Sequence, residues 1–215
     1  MELFKNVNGR EILLGLVEAI QKNKAYLGEV DGLIGDGDHG MNMNKGFTLY
    51  AQELGAAQTS FTDGLNDLGL VLFNKIGGSM GPIYGTMLTE MADAGAGEAV
   101  IDLLLFTKMM RAALEGLYGI VDARPGDKTL VDTLFPAVQA LEQAQGQPFG
   151  AALLAMKTAA YNGWQSTKGM VAKYGRAARL GDRSRGVLDA GATSCYIILN
   201  AMADGILRGL EEARA

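Results

Sequence analysis

The chain has 215 residues, of which 48% are hydrophobic and 20% charged, with a formal net charge of -5, 30 glycines and one cysteine. That length and apolar content suffice for a single folded domain, residues 1–215, without disulfides or structural metal. The acidic balance excludes broad nucleic-acid binding, which draws its affinity from cationic surface, so any phosphate recognition has to be local.

Residues 1–10 include Glu2, Lys5, Asn6 and Asn8 and lack the basic start and apolar run of a secretory signal. With no run of roughly 20 uninterrupted apolar residues anywhere, the expected compartment is the cytoplasm, with neither membrane nor nucleic acid as partner. Ile12, Leu16 and Ile20 recur at helical spacing and predict the first amphipathic helix. A glycine-rich break at 31–40 precedes a helix over about 41–54. Ser60-Phe-Thr-Asp63 has the form of a helix N-cap with an acid at N3, and opens a helix striped by Phe61, Leu65, Leu68, Leu72 and Ile76. After glycines at 77–85, helices are predicted over 82–93 and along Leu103, Phe106, Met110, Ala113 and Leu117. Arg124-Pro-Gly-Asp127 interrupts before Leu130, Leu134, Val138 and Leu141. Gln145-Gly-Gln-Pro148 then separates that helix from one over 150–163, and a last helix covers 191–209. Cys195 falls in this apolar stretch and reads as a buried, inert thiol. No period-2 strand pattern stands out. The expectation is an all-α fold, a bundle or barrel of about eight antiparallel helices with its chemistry in the loops at one end.

Interior glycines cost a helix about 0.5–1 kcal/mol each relative to alanine, so their concentration at 31–40, 77–85, 124–129 and 175–191 calls for a purpose. The first of these loops holds Asp31, Asp36, Asp38 and the only histidine, His39, among four glycines. It formally matches G-x-G-x-x-G, but no strand precedes it and its carboxylates would repel a bare pyrophosphate. An EF-hand fails too, because Phe47 stands where the bidentate glutamate belongs. Three close carboxylates are readily held ionised when hard divalent cations sit between them, and magnesium completes its shell with waters and substrate phosphates. A solvated turn whose aspartates only cap the next helix is the alternative. His39 is expected to hydrogen-bond a phosphate or the loop backbone in preference to carrying a phosphoryl group.

Gly77-Gly-Ser-Met-Gly-Pro82 opens a helix, so its backbone N–H groups suit an anion. Gly126-Asp-Lys-Thr129 is not a Walker A loop, because position 121 is Val121; Lys128 points to phosphates or pairs with Asp132. Lys168, Lys173, Arg176, Arg179, Arg183 and Arg185 share their eighteen residues with one acid, Asp182. Such a segment facing the carboxylates suits phosphoryl transfer. A docking surface for an acidic partner is the other reading.

Taken together, Gly35-Asp-Gly-Asp-His-Gly40, Gly77-Gly-Ser-Met-Gly-Pro82, Pro125-Gly-Asp-Lys-Thr129, Gly175-Arg-Ala and Asp189-Ala-Gly-Ala-Thr-Ser194 resemble the nucleotide-binding L subunit of dihydroxyacetone kinases over nearly the whole chain. The resemblance implies a barrel of eight antiparallel helices. It implies Asp31, Asp36 and Asp38 as ligands of two magnesium ions, and with Arg176 as the catalytic set. His39, Gly40, Met41, Asn42, Ser79, Met80, Leu130, Arg176, Asp189, Ala190 and Gly191 would contact ADP or ATP. Met80 stands where many relatives have a small hydroxyl residue, which leaves that contact to Ser79. The partners implied are a K subunit carrying a short ketose and an M subunit donating the phosphoryl group to bound ADP. An exchanging ATP-dependent kinase subunit for another small substrate and a nucleotide-dependent regulator-binding protein are the alternatives. Monomer and homodimer both stay open.

Overall fold

Residues 2–212 are described by the computed structural model. They form eight α-helices: α1 (Gly9–Gly32), α2 (His39–Leu54), α3 (Phe61–Lys75), α4 (Met80–Ala94), α5 (Leu103–Ile120), α6 (Val131–Gln143), α7 (Phe149–Ser166) and α8 (Ala190–Glu212). The predicted apolar stripes turn inward. Leu16 and Ile20 of α1, Leu65, Leu68 and Leu72 of α3, and Phe106, Met110 and Leu117 of α5 are fully buried in one continuous core. Each such side chain contributes roughly 1.5–3 kcal/mol on leaving water, so packing of these faces holds the helices more than propensity does. Every helix packs on the next, from α1 through α8, and α8 packs back on α1, which closes the ring into a barrel.

Local signals set the helix ends. The Ser60 hydroxyl accepts from the Asp63 N–H (3.0 Å) and donates to the Asp63 carboxylate (2.7 Å), the capping arrangement expected from the sequence. Asp102 likewise caps α5 by accepting from the Leu105 N–H at 2.8 Å. Pro136 lies inside α6 and offers no N–H to the carbonyl of Asp132. Gly163 of α7 packs directly on that carbonyl, where a Cβ would meet it at 2.1 Å.

One expectation is corrected. Leu3–Lys5 (β1) and Val100–Asp102 (β2) form an antiparallel pair in which Phe4 faces Ile101. Three residues are too few to display a period-2 pattern, and the pairing joins distant parts of the chain. Among the described residues, α8 alone has the length and apolar composition of a membrane span, but 67% of that window is buried, packed against α1, α6 and α7.

Because the helices alternate in direction, α1, α3, α5 and α7 run toward one end of the barrel, where α2, α4, α6 and α8 begin. Four helix N-termini therefore converge there. Each brings the positive end of a helix dipole.

Candidate functional site

A cavity of about 730 Å³ opens at this end, bounded by the 33–38, 76–79, 121–130 and 167–189 connections and the helix starts that follow them. Ile34, Ile83, Val121, Ala123, Leu130 and Ala190 give it apolar lining, while Asp31, Asp36, Asp38 and the glycines of 77–78 add polar and backbone surface.

The acidic loop is shaped by glycine. A Cβ on Gly35 would lie 2.3 Å from the Asp31 carboxylate, and Gly37 has φ +77. The chain can thus fold back so that Asp31, Asp36 and Asp38 each offer an oxygen within 4.8 Å of the others. An all-oxygen set of three carboxylates fits a hard divalent cation. A cationic group already answers their charge, since the Arg176 guanidinium pairs with Asp36. Ser79, which also lines the cavity, precedes α4 with its hydroxyl free of any capping bond. Open space adjoins Gly77 and Gly78, the latter at φ +71.

Beneath the loops lies a buried polar network. His39 Nε2 is 2.7 Å from Ser194 Oγ, which is 2.5 Å from the Tyr84 hydroxyl; Tyr84 also donates to the Gly191 carbonyl at 2.9 Å. Burial lowers the His39 pKa to about 4 against a small opposing effect of Asp31, and raises Tyr84 well above the phenol range. Burial also pushes the Asp189 carboxyl up to about 6, opposed by the Ala192 N–H and Lys128. Asp189 caps α8 by accepting from the Ala192 N–H at 2.7 Å.

Asp31, Asp36, Asp38, His39, Asn42, Ser79, Met80, Leu130, Arg176, Asp189, Ala190 and Gly191 all line this cavity. Gly40 and Met41 do not. Gly40 is a packing residue, where a Cβ would strike the Lys24 carbonyl at 1.9 Å, and Met41 turns to solvent at 75% exposure. The His39 ring bonds a hydroxyl from α8 through Nε2. Lys128 also lines the cavity and does not pair with Asp132: its ammonium donates to the carbonyls of Thr167 and Val187. Asp132 is occupied by the N–H groups of Gly126 and Thr129. Of the six cations at 168–185, Arg176 alone lines the cavity. Lys173 pairs with Asp127 at 2.6 Å, which lowers the Asp127 pKa, and Arg185 bonds the Gly169 carbonyl. Tyr84 and Thr167 were given no role from the sequence, and Ser194 entered only as the end of the Asp189–Ser194 motif, because a hydroxyl residue carries no signal of its distant partner. Cys195 is fully buried, as expected, and burial raises its thiol pKa.

The DAK2 domain family matches residues 33–204. The chain is 37% identical over 181 residues to the ADP-binding subunit of the PEP-dependent dihydroxyacetone kinase of Escherichia coli (strain K12), covering 83% of this chain and 86% of that one. It is 37% identical over 188 residues to the corresponding subunit of kinase 1 of Listeria innocua, covering 86% and 89%. To the D-erythrulose kinase of Mycolicibacterium smegmatis it is 33% identical over 195 residues, 88% of this chain but 33% of that protein. The fold superposes on the dihydroxyacetone kinase of C. freundii, native form, with a TM-score of 0.67 at 22% identity, over 90% of this chain. The form in complex with AMP-PNP and Mg2+ gives 0.66 over 92%. The chain spans only 33% of either solved chain. With residues 33–204 matched by the family and 37% identity over most of both chains to these subunits, the chain belongs to the DAK2 domain family.

Proposed function

We propose that this chain is the ADP-binding subunit of a phosphoenolpyruvate-dependent dihydroxyacetone kinase. The observation that carries the reading is the Asp31, Asp36 and Asp38 cluster set beside a glycine-opened helix N-terminus where four helices begin. The three carboxylates would hold two magnesium ions, which neutralise phosphate charge and orient the reacting oxygens. Ser79 and the N–H groups of 77–80 would hold phosphates, the apolar wall the adenine, and Arg176 would leave Asp36 to offset charge on the transferring group. Bound ADP would take a phosphoryl group from a phosphohistidine on an M subunit and, as ATP, pass it to a short ketose on a K subunit. Support comes from the similarity, over most of both chains, to named ADP-binding subunits. The reading puts the chain in the cytoplasm with those partners.

A second reading is a subunit that exchanges ATP and serves another ketose. It is favoured by the similarity to D-erythrulose kinase. One experiment separates them: the purified protein is dialysed at length against magnesium buffer and denatured, and released nucleotide is identified by chromatography. Near-stoichiometric ADP supports the first reading, and an empty protein that binds added ATP supports the second. Asp36→Ala is expected to abolish retention; unaltered retention would sink the carboxylate-metal assignment.

A further inference from the structure

We propose that Lys128 is a positioning residue whose buried ammonium, held on the carbonyls of Thr167 and Val187, fixes the 186–191 segment that walls the nucleotide cavity. The inference rests on the nucleotide reading above and assigns a role to a residue that contacts no phosphate in it.

Lys128 is the one non-glycine residue with positive φ among the described residues, at +62. A lysine has no local side-chain bond with which to stabilise that left-handed conformation, so the surroundings must impose it. They do so through the ammonium. At 1% exposure, its nitrogen lies 2.7 Å from the Thr167 carbonyl and 2.5 Å from that of Val187. Two of its three protons are thus committed to backbone on both sides of the 168–186 excursion.

From these carbonyls the structure runs straight to the cavity. The Thr167 hydroxyl donates to the Trp164 carbonyl at 2.7 Å and accepts from the Asp189 N–H at 3.1 Å. The Asp189 carbonyl accepts from Thr193 Oγ1, which in turn accepts from the Trp164 indole N–H at 2.8 Å. Asp189, Ala190 and Gly191 line the cavity. Lys128 therefore ties the connection before α6 to the end of α7 and the start of α8. Removing the ammonium strips the Val187 carbonyl of its donor, leaves the Thr167 carbonyl with the Met170 N–H alone, and frees the segment that Asp189 anchors.

The test uses the full chain, wild type, K128M and K128G, each first checked for cooperative thermal unfolding. Mg·ADP affinity is measured by calorimetry, and backbone hydrogen exchange of residues 186–191 is followed without nucleotide. K128M is expected to weaken binding roughly 10- to 100-fold, the range for a lost charge-assisted hydrogen bond, and to speed exchange at 186–191. K128G relieves the left-handed strain yet should bind as poorly, with recovery on adding propylammonium but not propanol. If K128M does not fold, K128G carries the comparison. K128G binding like wild type, exchange at 186–191 unchanged, or equal rescue by propanol would each overturn the proposal. Failure of wild type itself to bind Mg·ADP would instead overturn the nucleotide reading, while the exchange arm would still decide the role of Lys128.

Discussion

Arg176, after α7, pairs its guanidinium with the carboxylate of Asp36, after α1, and so places a protein cation in the midst of three aspartates. The pair is a competitor for metal. Its side chains are 60% and 42% exposed, and such pairs contribute about 0–1 kcal/mol to stability. Arg176→Ala is therefore expected to shift Tm by no more than about 2–4 °C. Its effects on ligands should have opposite signs. Without nucleotide, Mn2+ should bind the variant more tightly, because the competing guanidinium is gone. With ADP present, affinity should fall about tenfold, one charge-assisted hydrogen bond's worth. Manganese paramagnetic resonance and calorimetry read the two arms, and a change of the same sign in both would refute the competition.

His39 is the sole histidine, so its ring gives a single, assignable set of magnetic resonance signals. Burial against Ser194 lowers its pKa to about 4 from 6.5. The unfolded chain therefore takes up a proton on falling below pH 6.5 while the fold does not. Stability from this group is complete above pH 6.5 and is lost as pH drops toward 4, by about 3 kcal/mol. In the metal-free protein the ring shifts should stay flat from pH 7 to 5; an inflection near 6.5 would contradict the buried, neutral ring.

Ser60 tests a feature readable from four residues alone. Replacing it with alanine removes both halves of the exchange with Asp63 and should lower stability by about 0.5–2 kcal/mol, with nucleotide affinity unchanged because α3 starts at the far end of the barrel. Denaturant unfolding and calorimetry give the two numbers, and loss of affinity equal to the loss of stability would show that the two ends are coupled.

The cap was legible because it is local, and so were the helical stripes and the acidic loop, whose residues lie within ten positions. What stayed hidden depends on partners far along the chain. His39 finds Ser194 155 positions away, and Lys128 reaches Val187 59 positions on. Neither residue carries a local mark of its direction. Met41 shows the converse limit: it adjoins site residues in sequence, but at the start of α2 neighbouring positions point to different faces, and its side chain goes to solvent. The two strands escaped because three residues cannot establish a period.

Gly163 gives the sharpest test of how the barrel closes. Pro136 leaves the Asp132 carbonyl without its helical donor, and α7 approaches so closely that a Cβ at 163 would lie 2.1 Å from that oxygen and 2.7 Å from the Pro136 ring. The first contact is with backbone, which cannot swing aside like a flexible side chain. Gly163→Ala would normally help a helix by about 1 kcal/mol, yet here α7 must move away from α6, and overpacking of this kind costs about 1–3 kcal/mol or more. The Asp132 carboxylate also receives the N–H groups of Gly126 and Thr129, so displacement of α6 at this point reaches the 124–129 loop. The variant is thus expected to unfold at lower denaturant and to bind Mg·ADP more weakly, whereas Gly119→Ala on α5, with nothing within 4 Å, should gain up to about 1 kcal/mol of stability and leave binding unchanged. A stabilised Gly163→Ala protein would mean that α6 and α7 are not held together at this contact.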